Sequence, residues 1–412
     1  MDQIYERCCG LDVHQASVSA CVRVPDRNGK RCEFKARFST VTSDLLALRD
    51  WLQGYGVTQV AMEATGVYWK PVWYLLEDDF ELLLCNAAHV KNVPGRKTDA
   101  SDAQWLCQLL EHGLLQGSFV PPKPIRQLRD LTRYRKTLIK ERQQEANRLH
   151  KVLEDAGIKL SSVASDILGV SGRAMLEALV GGQADPEVLA ELARGRLRAK
   201  LPALREALNG HFSAHHRRLA GHILDHLDYL ERMIETLSEE ITELIAPFEP
   251  QVEQLQTIVG VGRRGAECIL AELGPDMSVF GSHRRCARWA RICPGNNESG
   301  GKRRNATTGK GNPWLREILI ECAHAASHSR DTYLKAQYLR LRRRGDNKAI
   351  VAVAHSILVS AYYILERNQP YTDPGFDYHA RLDNNNHNRR TRHLTKQLEA
   401  LGHRVTLQPL AA

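Results

Sequence analysis

The chain has 412 residues, 43% hydrophobic and 25% charged, with a formal net charge of +9 and a pI near 9.0. Length and hydrophobic content suit two or three domains with real cores, which excludes an intrinsically disordered chain. The ten cysteines contain no C-x-x-C pair and mostly sit in apolar stretches such as LLLCN and CILAEL; they read as buried, reduced thiols of a cytosolic protein, without a zinc site or a disulfide framework. No run is expected to supply the ~18–20 apolar residues of a membrane span, and MDQIYERCCG lacks the pattern of a secretory signal.

The charge is uneven. Residues 1–110 hold 12 Lys and Arg against 14 Asp and Glu, so the remainder carries +11. A basic body behind a near-neutral first domain points to a polyanionic partner, nucleic acid ahead of a membrane surface.

In chain order, CCGLDVHQASVSACVRV predicts two strands joined by a turn at His14–Gln15, and RCEFKARFST a third. SDLLALRDWLQGYG predicts a helix capped by Ser43 and ending near Gly54. TQVAMEAT and FELLLCNA read as buried strands, with a helix in GVYWKPVWYLLED between them and another from Asp99 to about Gly113. The order βββαβαβα implies a mixed sheet covered by helices, over residues 1–119. The prolines of VPPKP, 120–124, mark a boundary.

A long helix follows, about 125–156, in which nine Lys and Arg outnumber the acids; Arg129, Arg133, Lys136 and Lys140 are the expected phosphate-tracking residues. Residues 158–212 read as short helices. Ile223, Leu227, Leu230, Ile234, Leu237, Ile241 and Leu244 then form a heptad seam, which needs a partner inside the chain or on another copy. This middle region spans 120–250.

From 251 to 369 the expectation is a mainly helical domain. LQTIVGVGRRGAECILAELG resembles a helix-hairpin-helix, with Gly260 and Gly262 in a turn able to bring backbone N–H groups to a DNA phosphate. Residues 294–313 read as a long polar loop, rich in Gly and Asn and carrying Lys302, Arg303, Arg304 and Lys310. Helices are expected at 314–328, 331–344 and 347–366. Residues 370–412 read as a basic, flexible tail leading into a short final helix.

Asp12 and Glu63 each close an apolar strand, where a carboxylate is costly without a partner. If those strands are neighbours, both acids emerge at one sheet edge, and a helix starting at Asp99 delivers Asp99 and Asp102 to it. Four carboxylates repel one another unless cations bind; oxygen-only ligands suit Mg²⁺ or Mn²⁺, and two such ions can serve phosphoryl transfer.

At these motifs the chain resembles a known family. GLDVH, MEATGVYW and KTDASDA are similar to the N-terminal RNase H-like (RuvC-like) domain of the DEDD transposases of the insertion sequence 110 family. LQTIVGVGRRGAECILAELG, ICPGNNESGGKRR and GKGNPWLREILIECA resemble that family's C-terminal transposase domain. The resemblance implies that Asp12, Glu63, Asp99 and Asp102 are the metal-binding acids and that Ser299, before Gly300, is a catalytic serine. Lys302, Arg303 and Arg304 then flank the scissile phosphate. It further implies strand exchange through a phosphoserine link, composite sites formed between subunits of a dimer or tetramer, donor and target double-stranded DNA, and a structured guide RNA encoded by the element. Such a protein works in the bacterial cytoplasm, on the nucleoid. Two alternatives stay open on the residues alone: a metal-dependent nuclease or junction resolvase with a structural Ser299, and an inactive nucleic-acid-binding scaffold.

Overall fold

A computed structural model describes residues 3–87, 90, 101–294, 297–305, 308–309 and 311–407. The chain divides into two compact units, 1–120 and 121–412.

The first unit is a five-stranded sheet in the order β3-β2-β1-β4-β5, built from β1 (Cys8–Val13), β2 (Ser17–Pro25), β3 (Arg31–Ser39), β4 (Gln59–Glu63) and β5 (Glu81–Cys85). β1, β2 and β3 run antiparallel as a meander, while β1–β4 and β4–β5 are parallel. The central strands read as nearly continuous apolar runs because both sheet faces are covered. One face buries Cys9, Leu11 and Val13 against α1 (Thr42–Gly54) and α2 (Trp69–Leu76). The other buries Cys8, Cys21, Ala61 and Cys85 against α3 (Asp102–Glu111). The edge strand β3 carries Arg31, Glu33, Lys35 and Arg37, charges that discourage pairing with another chain. Two cap positions differ from expectation. Helix α1 starts at Thr42 after Val41, so Ser43 is not its cap; α3 starts at Asp102, with the Ser101 hydroxyl accepting from Gln104 N at 3.3 Å.

The second unit is mostly helical. Its spine is an antiparallel pair, α4 (Lys123–Asp155) against α8 (Ala214–Ile245). Leu138 meets Leu230, Ile234 and Leu237, and Leu149 and Leu153 meet Ile223, Leu224 and Leu227. The heptad seam therefore pairs within the chain, with the basic helix. Its last member is Ile245, fully buried, while Leu244 is exposed. The short helices α5 (Val170–Val180), α6 (Pro186–Glu191) and α7 (Leu201–Leu208) share the core at one end of this pair.

The rest of the unit contains α9 (Glu249–Gln256), α10 (Arg263–Leu273), α11 (His283–Ala290), a hairpin of β6 (Asn297–Ser299) and β7 (Lys302–Asn305), α12 (Pro313–His328), α13 (Tyr333–Arg342), α14 (Asp346–Arg367) and α15 (Tyr378–Ala400). Against expectation, α14 is long and apolar enough to cross a bilayer by length and composition; its Ala349, Ile350, Val353, Ile357 and Leu358 are buried, and it packs on α12 and α13. The segment NNNHNRRTRH lies inside the 23-residue α15, not in a flexible stretch before a short helix.

Candidate active site

Two sets of chemistry-bearing residues stand out, one in each unit. In the first, the parallel register Leu11↔Met62 puts Asp12 and Glu63 one step further along adjacent strands, at the same sheet edge. Alternation places Asp12 on the face of Gly10, the face covered by α3. Gly10 is what lets α3 approach so closely. A methyl there would run into the carbonyl oxygen of Ala103 and lie 2.5 Å from Cys107 N. The first turn of α3, which begins with Asp102, is thereby seated over β1, which carries Asp12 one residue before its end.

The other end of α3 is pinned by Glu111, which is fully buried. Arg23 Nε donates to its Oε2 at 2.7 Å, Gln3 Nε2 to its Oε1 at 2.6 Å, and the Arg31 guanidinium also pairs with it. A buried carboxylate so satisfied fixes the helix along its axis.

Asp12 keeps 22% of its side chain exposed, and His14 Nε2 lies 3.1 Å from its Oδ2. Sequence reading passed over His14; its position two residues after Asp12, at the turn, was the available signal. Glu63 pairs in register with Cys85, whose thiol is pushed up to about 12 by burial and then by the Glu63 carboxylate. Asp99 lies outside the described residues. The helix expected to start at Asp99 begins at Asp102, after an extended Ser101. Asp12, Glu63 and Asp102 offer only oxygen donors, which fits a hard divalent cation. Among the described residues, no three such groups converge enough to hold an ion by themselves.

In the second unit, the expected polar loop is instead a two-stranded hairpin. Ser299 pairs with Lys302 across Gly300 and Gly301, which adopt φ of 59° and 73°. Two consecutive positive φ values are what a tight hairpin turn requires, and Gly-Gly supplies them without strain. That dipeptide was the overlooked signal, since the flanks lack apolar alternation. A Cβ built on either glycine meets nothing within 4 Å, so the two-glycine turn stands in open space. The base is anchored. Pro294 bridges Thr308, and Arg316 Nη1 donates to Thr308 Oγ1 at 2.7 Å. At Gly311 a Cβ would lie 2.5 Å from Ala290 O, so the chain passes hard against the end of α11. Lys302, Arg303 and Arg304 belong to the hairpin; Lys310 lies outside the described residues.

The cations expected to track phosphates already have partners in the chain. Arg133 grips Glu272 with Nε and Nη2 at 2.7 and 2.8 Å. Arg129 donates to the carbonyls of Ala271 and Glu272 at 3.0 and 2.7 Å; burial brings its guanidinium down to about 10, against the pull of Glu272. Lys136 pairs with Glu321 and Lys140 with Glu317. The partners arrive from α10 and α12, so charge counting along α4 alone could not see them. Glu272 also accepts from Asn312 Nδ2 at 2.6 Å, and Asn312 caps α12. The base of the hairpin region is thus tied to the spine.

Gly260 serves packing: a Cβ there would lie 2.5 Å from Cys322 O and 2.6 Å from Ala326 N, on α12. Gly262 caps α10 with open space around it. Cations without an ion pair among the described residues stand elsewhere, at the α13–α14 turn, where Arg343, Arg344 and Lys348 are exposed.

Comparisons with known proteins match segments of both units, the first match running past the boundary into α4. Residues 9–158 match a family model described as "Transposase", for the DEDD transposases of IS110 elements, and residues 252–339 match "Transposase IS116/IS110/IS902 family"; together they span more than half of the chain. The chain is also 27% identical over 324 residues to "Putative transposase y4pF/y4sB" of Sinorhizobium fredii (strain NBRC 101917 / NGR234), covering 76% of this chain and 74% of that one. The first match implies an RNase H-like fold for the N-terminal sheet unit. With both characteristic domains present in order, the chain belongs to the IS110 family and is a DNA transposase.

Proposed function

We propose that this transposase cuts and rejoins DNA by transesterification at Ser299. The observation that carries the reading is the hairpin: it presents Ser299 beside a two-glycine turn in open space, on an anchored base. The serine oxygen attacks a phosphodiester, a P–O bond to Ser299 forms, and the bond to the departing strand breaks. That strand's oxygen leaves with a proton while the hydroxyl of Ser299 loses one. A strand hydroxyl on the partner DNA reverses the exchange, so bond energy is retained. Lys302, Arg303 and Arg304 neutralise charge developing on the phosphate.

Asp12, Glu63, Asp99 and Asp102 are the residues that would hold Mg²⁺ or Mn²⁺, which when bound would supply Lewis-acid stabilisation of the phosphoryl oxygens. Asp12 and Glu63 lie on neighbouring strands of the sheet and Asp102 on the helix seated against it, so their backbones are held by the fold while the side chains would close on the ion. In this reading residues 1–119 are the acidic half, 120–250 a coiled-coil spacer, and 251–369 the serine half with its helix-hairpin-helix; 370–412 contact nucleic acid. The acidic and serine chemistries act on one phosphodiester when a dimer or tetramer assembles on donor and target DNA, with a structured RNA pairing to both.

The test is to trap protein–DNA adducts. The protein is expressed with its native flanking noncoding DNA and a target plasmid, denatured, and probed for linked DNA. An adduct in wild type, absent from Ser299→Ala, is the expected result. Cleavage without an adduct, untouched by Ser299→Ala and abolished by Asp12→Ala, overturns the serine step and leaves a metal-dependent nuclease.

A further inference from the structure

A groove of about 880 Å³ opens in the second unit beside the base of the serine hairpin. Pro294 and Thr308, the bridged pair below β6 and β7, line one side; α13 and α14 line the other. Its walls include Ile292 and Leu341, and Arg344, Asn347 and Lys348 stand exposed at the rim. Deeper, Gln337 Nε2 donates to Ser356 Oγ at 3.0 Å, which leaves Gln337 Oε1 buried and without a hydrogen-bond partner among the described residues. His355 also lines the groove, and burial followed by repulsion from His283 pushes its imidazole below the usual range, so at neutral pH it is an uncharged donor and acceptor.

The groove therefore runs from cationic at the mouth, through apolar walls, to amide and imidazole groups able to hydrogen-bond inside. A bare phosphate has no use for apolar walls, and an apolar ligand has none for Arg344 and Lys348. A nucleotide uses all three layers: phosphate outside, flat base between apolar walls, and base edge against hydrogen-bonding groups. The volume falls within the ~300–1,000 Å³ usual for ligand sites, ample for one nucleotide. The unpaired Gln337 acceptor asks for a donor such as an exocyclic amine or ring N–H.

We propose that this groove receives one nucleobase extruded from the DNA strand beside the bond on which Ser299 acts, with the flanking phosphates held by Arg344 and Lys348. The placement rests on the serine reading; the binding itself does not. Unstacking a base is unfavourable, and apolar contact with Ile292 and Leu341 together with hydrogen bonds in the groove offsets it. A base held there would keep the strand from drifting between cutting and rejoining.

The experiment irradiates the full-length protein with a single-stranded 12-mer DNA bearing 5-iodo-deoxyuridine and maps the crosslinked peptides. Wild type is expected to crosslink within residues 337–356. Ala352→Phe, which fills the groove, is expected to lower that yield ~10-fold, the fold change for losing one stacked base. Fluorescence anisotropy should show much smaller loss of total oligonucleotide binding, since other cations still hold the backbone. If Ala352→Phe does not fold, Gln337→Leu serves: similar in size, without the amide, and expected to lower the yield in the same direction. Crosslinks confined to other peptides, or a yield unchanged in the folded variant, overturn the proposal; so does occupation of the groove by a segment of the chain itself, which would block the crosslink. No strand transfer is needed for this readout, so failure of the groove and failure of the Ser299 chemistry are distinguished.

Discussion

The two halves of the proposed chemistry are held in opposite ways. Asp12, Glu63 and Asp102 stand on elements locked by backbone approach at Gly10 and by the buried Glu111 cluster. Ser299 stands on a hairpin fixed at its base and surrounded by open space at its tip. Carboxylates that must share charge gain from rigid placement, because every ångström of drift alters their mutual repulsion. A nucleophile that must reach a large, stiff substrate gains from projection. The contrast shows where stability and activity should part company.

The largest effect is expected beneath the hairpin. Glu272→Ala strands the partly buried Arg129 and Arg133 and removes the partner of Asn312, so it should cost ~3–5 kcal/mol in chemical denaturation. Next is Gly10→Val, whose side chain drives α3 off β1. A loss of ~1–3 kcal/mol is expected, together with strand-exchange activity, because Asp102 moves with the helix. If activity survives, the rigid-placement half of the comparison is wrong. Gly301→Ala forces an L-residue into positive φ, worth ~1–2 kcal/mol locally. It should depress adduct formation far more than it lowers the melting temperature. Smallest is Lys140→Ala, a partly exposed pair with Glu317 worth ~0–1 kcal/mol. Its DNA affinity should hardly change, whereas Arg344→Ala should reduce the salt slope of DNA binding by about one. Equal slopes for the two variants would return α4 to the phosphate-tracking role.

Much of the first unit was legible in the sequence because its signals are local and periodic. The apolar strands, the helices between them and the acids at strand ends all follow from alternation, and the adjacency of β1 and β4 then brings Asp12 and Glu63 to one edge. The start of α3 was misread because Asp99 and Ser101 are both good caps and only the fold chooses between them. The hairpin escaped notice because NESGGKRRN has no apolar member for periodicity to find. The cations of α4 were misjudged for a different reason: Glu272, Glu317 and Glu321 lie more than a hundred residues away in sequence. Long-range pairing, not local charge, decides whether an arginine is available to a ligand. Ser299 owes its candidacy to family resemblance, since a serine before two glycines is ordinarily a turn residue.

The closure of α8 onto α4 limits how copies of the chain can come together. Exchanging this seam with a second copy would first require unzipping Leu138 from Leu230, Ile234 and Leu237, each such side chain worth ~1.5–3 kcal/mol in burial. Under the proposed assembly, contacts between copies would therefore draw on surfaces other than the seam, and the exposed Leu382, Leu394 and Leu398 of α15 would be available to them without opening the spine.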